Sequence, residues 1–151
     1  MTLLLETSRL TLRPFCEEDI QPFSAYRSDP LVAQYQGWDA PYSASQARKL
    51  VQTMQQITPG EPGEWYQVAI ERKADQKLIG DCAFVVLAED ARQAEIGFTL
   101  ARAYQGQGYA TEAVGRLVDY LFADHGLHRL QANCDVANGA SSSLMERLGM
   151  R

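Results

Sequence analysis

Two glycines, Gly106 and Gly108, stand immediately before a strongly amphipathic pattern in this 151-residue sequence. A helix leaves its first N–H groups unpaired and directs the positive end of its dipole at whatever lies in front of it. Glycines at that point let the backbone approach an anion closely, so the segment suits a phosphate or pyrophosphate group. A left-handed turn with no ligand explains the same two glycines equally well. The spacing alone therefore leaves both interpretations open.

The glycines lie between two elements that would position them. The pattern before them predicts a strand from Ala94 to Leu100, and a further strand is predicted from Leu130 to Val136. Between them, apolar residues recur at helical spacing and predict a helix: Ala110, Ala113, Val114, Leu117, Val118, Leu121 and Phe122. Because a strand, a crossover helix and another strand form a right-handed parallel unit, we expect the two strands to lie parallel.

The first third of the chain predicts a strand followed by helices. Leu10 and Leu12 alternate with polar residues in a strand that Pro14 ends. The acidic cluster from Glu17 to Asp19 suits the first turn of a helix, because carboxylates are stabilised there by the dipole. A second helical stripe runs from Ser43 to Ile57, with Ser43 or Ser45 as its N-cap.

The remaining segments predict an antiparallel meander and a last short helix. Strands are expected from Trp65 to Ile70 and from Leu78 to Val86, joined by a polar connection of hairpin length. The strand from Ala94 to Leu100 would extend this hairpin. A short helix is expected from Asn138 to Leu148. Trp38 and Tyr42 either line a pocket or cover an edge of the core.

Composition restricts the class of protein. The length suits a single domain, residues 1–151, that buries most of its apolar surface in one core. A net charge of −5 with no Lys/Arg run disfavours nucleic acid and anionic membranes as partners and favours cations. Cys16, Cys82 and Cys134 lack the spacing of a metal site, so we expect reduced thiols and no metal. The N-terminal segment has neither a basic leader nor a membrane span, so a soluble, cytoplasmic location is expected.

Four motifs occur along nearly the whole chain in a fixed order. They are Arg9-Leu10-x-Leu12-Arg13-Pro14-Phe15, Glu95-Ile96-Gly97-Phe98, Gln105-Gly106-Gln107-Gly108-Tyr109-Ala110 followed by Thr111-Glu112-Ala113, and Asn138-x-x-Ser141 with Glu146-x-Leu148-Gly149-Met150. The third fits the pattern Gln/Arg-x-x-Gly-x-Gly/Ala on which the GNAT superfamily of N-acetyltransferases binds the pyrophosphate of acetyl-CoA. The set resembles the RimJ/RimL-like branch of that superfamily, which contains ribosomal-protein N-terminal acetyltransferases.

This resemblance implies a fold and a cofactor site. The implied fold is of the α/β class in its α+β form, with a mixed, mostly antiparallel sheet, helices on both faces and a parallel strand pair that splays apart. Acetyl-CoA is then the co-substrate. The implied binding residues are Phe98, Leu100, Gln105, Gly106, Gly108, Tyr109, Ala110, Thr111 and Asn138. A backbone N–H of Phe98 to Leu100, freed by a bulge or by the splay, would stabilise the thioester oxygen.

The resemblance also implies catalytic residues. Acyl transfer needs a neutral amine, so a base must take its proton, and Glu95 is the candidate. Its alternative role is a strand glutamate paired with a surface lysine. Many GNAT enzymes have a tyrosine that protonates the departing thiolate, but Met145 stands at the matching position and cannot donate a proton. Ser141 would then hydrogen-bond the leaving sulfur instead. Its alternative role is that of an ordinary serine in the first turn of a helix. Glu112 is a weaker candidate base, which the helix dipole alone explains.

Other residues fit structural roles. Asn138 would contact the pantetheine, cap its helix, or do both. His125 and His128 flank a helix end and complement its negative pole.

The function that the resemblance implies is direct acetyl transfer from acetyl-CoA to a primary amine, either a protein N-terminus or a small molecule. A GNAT-fold module that binds CoA without turnover is the alternative. The resemblance also leads us to expect about two more strands after Arg151, where the given sequence ends. We therefore expect the open sheet edge to be covered by a second copy of the chain, or the chain to be a truncated form. The alternative is that Met150 and Arg151 lie in solvent and the last helix shields the edge.

Overall fold

Six strands form one sheet in chain order within residues 3–33, 41–125 and 129–132, which the computed structural model describes. The strands are β1 (Leu5–Glu6), β2 (Leu10–Arg13), β3 (Tyr66–Arg72), β4 (Lys77–Val86), β5 (Gln93–Leu100) and β6 (Arg129–Ala132). Neighbours from β1 to β5 are antiparallel, and β5 and β6 are parallel. The predicted hairpin, meander and parallel pair are confirmed.

The helices in the described residues are α1 (Ile20–Arg27), α2 (Pro30–Ala33), α3 (Ala44–Met54) and α4 (Tyr109–His125). A short 3₁₀ turn at Glu17–Asp19 precedes α1. A second one, at Arg102–Tyr104, precedes residues 105–108, which we call the glycine loop. Of the two serines predicted to cap α3, Ser43 is the cap: its Oγ accepts from the Gln46 N–H at 3.1 Å, and Gln46 Oε1 accepts from the Ser43 N–H at 2.8 Å. None of these helices is long and apolar enough to cross a membrane.

Alternate residues of the central strands pack into two separate apolar clusters, one on each face of the sheet. Val68 and Ile70 of β3 belong to the cluster that contains Val114, Leu117 and Leu121 of α4. Between them, Ala69 belongs to the cluster formed by these side chains of the opposite face: Phe15, Ile20, Phe23, Tyr26, Val32, Tyr42, Ala47 and Val51. The sheet therefore has α4 on one face and α1 and α3 on the other, as expected.

Two points of the sequence analysis need correction. β1 was not predicted, because two residues are too few for a visible alternation. Asp19 does not simply complement a helix dipole, since it is buried and paired with Arg13 at 2.8 Å. Of the two roles predicted for Tyr42, the place in the core is confirmed, since the residue is buried and its ring lies edge-on to that of Phe23. The predictions for Trp38, for the end of the last strand and for the helix from Asn138 to Leu148 concern residues outside the described ranges.

Candidate active site

The glycine loop leads from β5 into the first turn of α4. Gly106 and Gly108 have φ angles of +77° and +82°, in the left-handed region that favours glycine. The first intrahelical bond of α4 runs from the Glu112 N–H to the Gly108 carbonyl at 3.1 Å. The three amides before it, at residues 109–111, therefore have no acceptor within the helix. Amides of this kind, together with the helix dipole, are groups that favour an anion.

The two glycines differ in what surrounds them. A Cβ added at Gly106 would meet no described atom within 4 Å, so the space in front of this residue is open. A Cβ at Gly108 would lie 3.3 Å from Arg9 Nη2. Both glycines are needed for their backbone torsion, and Gly108 is needed also because an arginine of the N-terminal segment packs against it.

Side-chain amides brace the loop from within. Gln105 Nε2 donates to the carbonyl of Leu100 at 3.0 Å, which ties the loop to the end of β5. Gln107 Nε2 donates to the carbonyl of Ala103 at 3.1 Å. Gln105 therefore uses one of its two carboxamide hydrogens within the protein, where the bond helps to shape the loop.

The hydrogen-bond phase of β5 shows which way each of its amides points. The Leu87 N–H donates to the Gln93 carbonyl at 3.0 Å, and the Ala101 N–H donates to the Ile79 carbonyl at 2.8 Å. The register of β4 with β5 is unbroken between these two bonds. In an antiparallel ladder, residues bond to the partner strand alternately. Residues 95, 97 and 99 consequently direct their backbone groups to β4.

Phe98 and Leu100 direct their backbone groups the other way, towards the side of β6. The described pairing with β6 ends where Ile96 lies opposite Ala132, so both amides lie beyond the last described pair. The Leu100 carbonyl on this side is the one that Gln105 contacts. The unbroken register also means that no bulge turns the Thr99 amide away from β4, so the backbone groups directed to the other side belong to residues 98 and 100.

Glu95 lies on the face of the sheet that carries α1 and α3. Its neighbours Ala94 and Ile96 are buried in the cluster around α4, so the half-buried Glu95 side chain extends from the opposite face. Gly97 follows on the same face, and a Cβ added there would meet no described atom within 4 Å. The geometry thus places the Glu95 carboxylate on the same face as Gly97, three residues before the outward-directed Phe98 amide.

Glu112 has specific partners far away in the chain. Its carboxylate accepts from Arg9 Nε at 2.8 Å, from the Arg9 backbone N–H at 3.0 Å, and from the hydroxyl of Thr7. Burial alone would raise the pKa of Glu112, but the hydrogen bonds from Thr7 and Arg9 lower it below its ordinary value. The interpretation that the helix dipole alone explains this carboxylate is wrong. Glu112 therefore stabilises the loop through these contacts. A carboxylate that accepts three hydrogen bonds within the protein is unsuitable as a base.

A buried polar cluster fastens α1 to the sheet on the Glu95 face. Asp81 of β4 is 2% exposed and accepts a hydrogen bond from the hydroxyl of Tyr26, while Arg27 Nη2 lies 3.7 Å from its Oδ1. Burial raises the pKa of Asp81 despite the cation, and burial together with Asp81 raises the pKa of Tyr26. Sequence reasoning missed this cluster, because a single aspartate in an apolar strand gives no periodic signal.

Several predicted residues lie outside the described ranges, among them Asn138, Ser141, Met145 and His128. His125 is the last residue of α4. In the part of the chain that the structure describes, no group of His, Cys, Asp and Glu side chains is arranged to hold a metal ion.

Comparisons with known proteins agree with this geometry. The sequence profile described as "Acetyltransferase (GNAT) domain" matches residues 9–151. The chain is 34% identical to p20, an uncharacterised N-acetyltransferase of Bacillus licheniformis, over 97% of this chain and 82% of p20. A GNAT-family acetyltransferase structure from Bacillus anthracis superposes with a TM-score of 0.85 at 27% identity, covering 99% of this chain and 84% of that one. RimL, a ribosomal L7/L12 α-N-protein acetyltransferase, shares the fold at 21% identity with a TM-score of 0.81, covering 97% and 80%.

Proposed function

Because this chain belongs to the GNAT acetyltransferase family and is an N-acetyltransferase, we propose that it transfers the acetyl group of acetyl-CoA directly to a primary amine in a ternary complex. The observation that carries this proposal is that three features follow one another along the chain. They are the outward-directed amides of Phe98 and Leu100, the glycine loop, and the first-turn amides of α4 that have no acceptor within the helix. These features line one side of β5 and match a pyrophosphate followed by an extended pantetheine arm. Acetyl-CoA supplies an activated acyl group as a thioester.

The residues of this chain have distinct roles in the proposed reaction. The first-turn amides of residues 109–111 bind the pyrophosphate, and Gly106 leaves room for it. The outward groups of Phe98 and Leu100 pair with the pantetheine amides as a neighbouring strand would. The Phe98 N–H is then placed to donate to the thioester carbonyl oxygen as negative charge develops on it.

Glu95 acts as the base for the acceptor. An α-amino group titrates near ~8 and a lysine near ~10, so much of either is protonated at neutral pH. Glu95, directly or through a water, takes a proton from the amine, whose nitrogen forms the new C–N bond as the C–S bond breaks. The electron pair of the broken bond leaves with the CoA thiolate, and Ser141 hydrogen-bonds that sulfur.

The acceptor class follows from resemblance and charge. Likeness to the RimJ/RimL-like branch supports a protein N-terminus, and a net charge of −5 suits a cationic small amine as well. The proposal therefore covers primary amines of both kinds.

The direct test is release of the CoA thiol with a panel of N-terminal peptides and small amines. The proposal predicts acceptor-dependent thiol release together with an acetylated amine in the mass spectrum. Binding of CoA by calorimetry with no turnover for any amine would favour a binding module instead. Absence of both binding and turnover would contradict both functions.

A further inference from the structure

The N-terminal segment and the first turn of α4 are fastened together at the glycine loop. Arg9 and Thr7 converge on the carboxylate of Glu112, and Thr7 Oγ1 also accepts from the Leu10 N–H at 2.9 Å, which holds the segment in a turn. We call Thr7, Arg9 and Glu112 the loop latch. These contacts join residues about a hundred positions apart, so they fix where the loop stands relative to the sheet.

Arg9 also contacts the loop itself. Its Nη1 donates to the carbonyl of Gln107 at 3.1 Å, and its guanidinium lies over the ring of Tyr109, 4.2 Å from the ring centroid. Nη2 lies against Gly108. The guanidinium therefore touches three consecutive loop residues and the Glu112 carboxylate, and its Nε and Nη1 hydrogens are used within the protein.

The charge of Glu112 creates an electrostatic difficulty that Arg9 resolves. A carboxylate in the first turn of α4 lies next to the amides that would bind a pyrophosphate, and the two anions would repel each other. The Arg9 side chain is 43% exposed and that of Glu112 is 19% exposed, so water screens this repulsion only in part. Arg9 offsets the charge of Glu112 at close range through two contacts: its guanidinium Nε lies 2.8 Å from Oε1, and its backbone N–H donates to Oε2 at 3.0 Å.

Resting on the proposed function, we propose that Arg9 is a positioning residue for acetyl-CoA, which acts by neutralising Glu112 and holding the glycine loop in its binding shape. It does so from behind the loop, without contact with the ligand. Arg9→Gln leaves an unpaired carboxylate beside the pyrophosphate site and releases the loop. Glu112→Gln also releases the latch, but it removes the repelling charge at the same time, so the two effects offset each other.

The test is a double-mutant cycle with calorimetric titration of CoA. Arg9→Gln alone should weaken binding about tenfold or more, whereas Glu112→Gln should change it by less than about threefold. With Gln at position 112, Arg9→Gln should cost much less affinity than it does in the wild type, because Arg9 has no charge left to neutralise and only its contact with the Gln107 carbonyl is lost. At saturating acetyl-CoA all three should keep the wild-type kcat, so the effect appears in KM. Arg9→Lys should restore part of the affinity, since it returns the charge without the paired contacts of Nε with Glu112 and of Nη1 with Gln107.

The control is Arg48→Gln, which breaks an exposed ion pair with Glu17 on the opposite face of the sheet and should leave CoA affinity unchanged. An equal loss from Arg9→Gln with Glu or Gln at position 112 would show that Arg9 does not act by neutralising Glu112, and would overturn the proposal. Unchanged affinity in all variants would also overturn it. If the wild-type protein binds no CoA at all, the proposed function itself fails.

Discussion

Glu95 is the side chain on which the proposed proton transfer depends. It extends from the face of β5 away from α4, beside the open space over Gly97. A carboxylate in that place can reach an amine that approaches from the side of α1, while the neighbouring Phe98 amide points to the edge of the strand. The proposed base and the proposed oxyanion donor therefore come from one strand, and their groups point in different directions.

Glu95→Gln should lower kcat by about 100-fold with little change in acetyl-CoA affinity. The loss should shrink as pH rises, because more of the acceptor amine is then deprotonated without help. Rate profiles against pH for the wild type and the variant provide the measurement. Glu89→Gln, at an exposed carboxylate in the turn between β4 and β5, is the matched control. Full activity of Glu95→Gln at neutral pH would mean that Glu95 is structural.

Gly108→Val should abolish measurable acetyl-CoA binding and leave the fold intact. A branched side chain at a φ of +82° forces the loop out of shape and presses on Arg9. Gly63→Val is the matched control, since Gly63 has a φ of +81° in a turn elsewhere, where its Cβ would meet only Ala88 at 3.5 Å. Calorimetry and thermal melting of both variants separate affinity from stability. Retained binding in Gly108→Val would remove the loop from the site.

At the scale of the elements, the junction between β2 and α1 depends on one buried ion pair. The guanidinium of Arg13 binds both carboxylate oxygens of Asp19 at 2.8 and 2.9 Å, and the Cys16 N–H donates to the same carboxylate at 2.8 Å. Burial would raise the pKa of Asp19, but the bonds from Arg13 and Cys16 outweigh it and lower the pKa. Asp19 is therefore ionised and fully paired in the folded protein at neutral pH.

Asp19→Asn should lower the free energy of unfolding at pH 7 by on the order of 3 kcal/mol, because it removes one partner of a buried pair. A carboxyl whose folded pKa is lowered stabilises the protein above its unfolded pKa and loses that contribution as the pH falls. The difference in the free energy of unfolding between wild type and variant should thus narrow as the pH falls below 3.8, the ordinary pKa of an aspartate. Urea unfolding at several pH values measures it.

Glu17→Gln, in the same 3₁₀ turn, is the control for this experiment. Glu17 is paired with Arg48 at 3.3 Å on the surface, where solvent screens the pair, so no measurable loss is expected. A cost as large as that of Asp19→Asn would show that the turn itself, rather than the buried pair, determines stability.

Local patterns predicted the elements well and their long-range partners poorly. Alternation identified β5 and helical spacing identified α4, since both depend on neighbouring residues alone. The partners of Glu112 and Asp19 could not be predicted, because a carboxylate near a helix start looks the same whether the dipole or a distant arginine stabilises it. The outward direction of the Phe98 amide depends on the register of β4 with β5, which a single sequence does not contain.

At the scale of the whole molecule, the net charge of −5 acts on charged substrates before they bind. Cationic acceptors are attracted, and this attraction is screened over about 10 Å at 0.1 M salt. The KM for an acceptor with two or more positive charges should therefore rise with ionic strength more steeply than the KM for a monoamine. Steady-state kinetics from low salt to about 0.2 M test this. Equal salt dependence for both acceptors would limit recognition to the reacting amine.

The alternating direction of the β5 amides also determines how fast each of them exchanges its hydrogen with solvent. Gly97 and Thr99 donate towards β4, so they should exchange slowly whether or not a ligand is present. Phe98 and Leu100 point to the side where the proposed pantetheine arm lies, so saturation with CoA should slow their exchange selectively. Residue-resolved hydrogen exchange would then show added protection at every second amide. That alternation would indicate that the cofactor binds as an additional strand of the sheet.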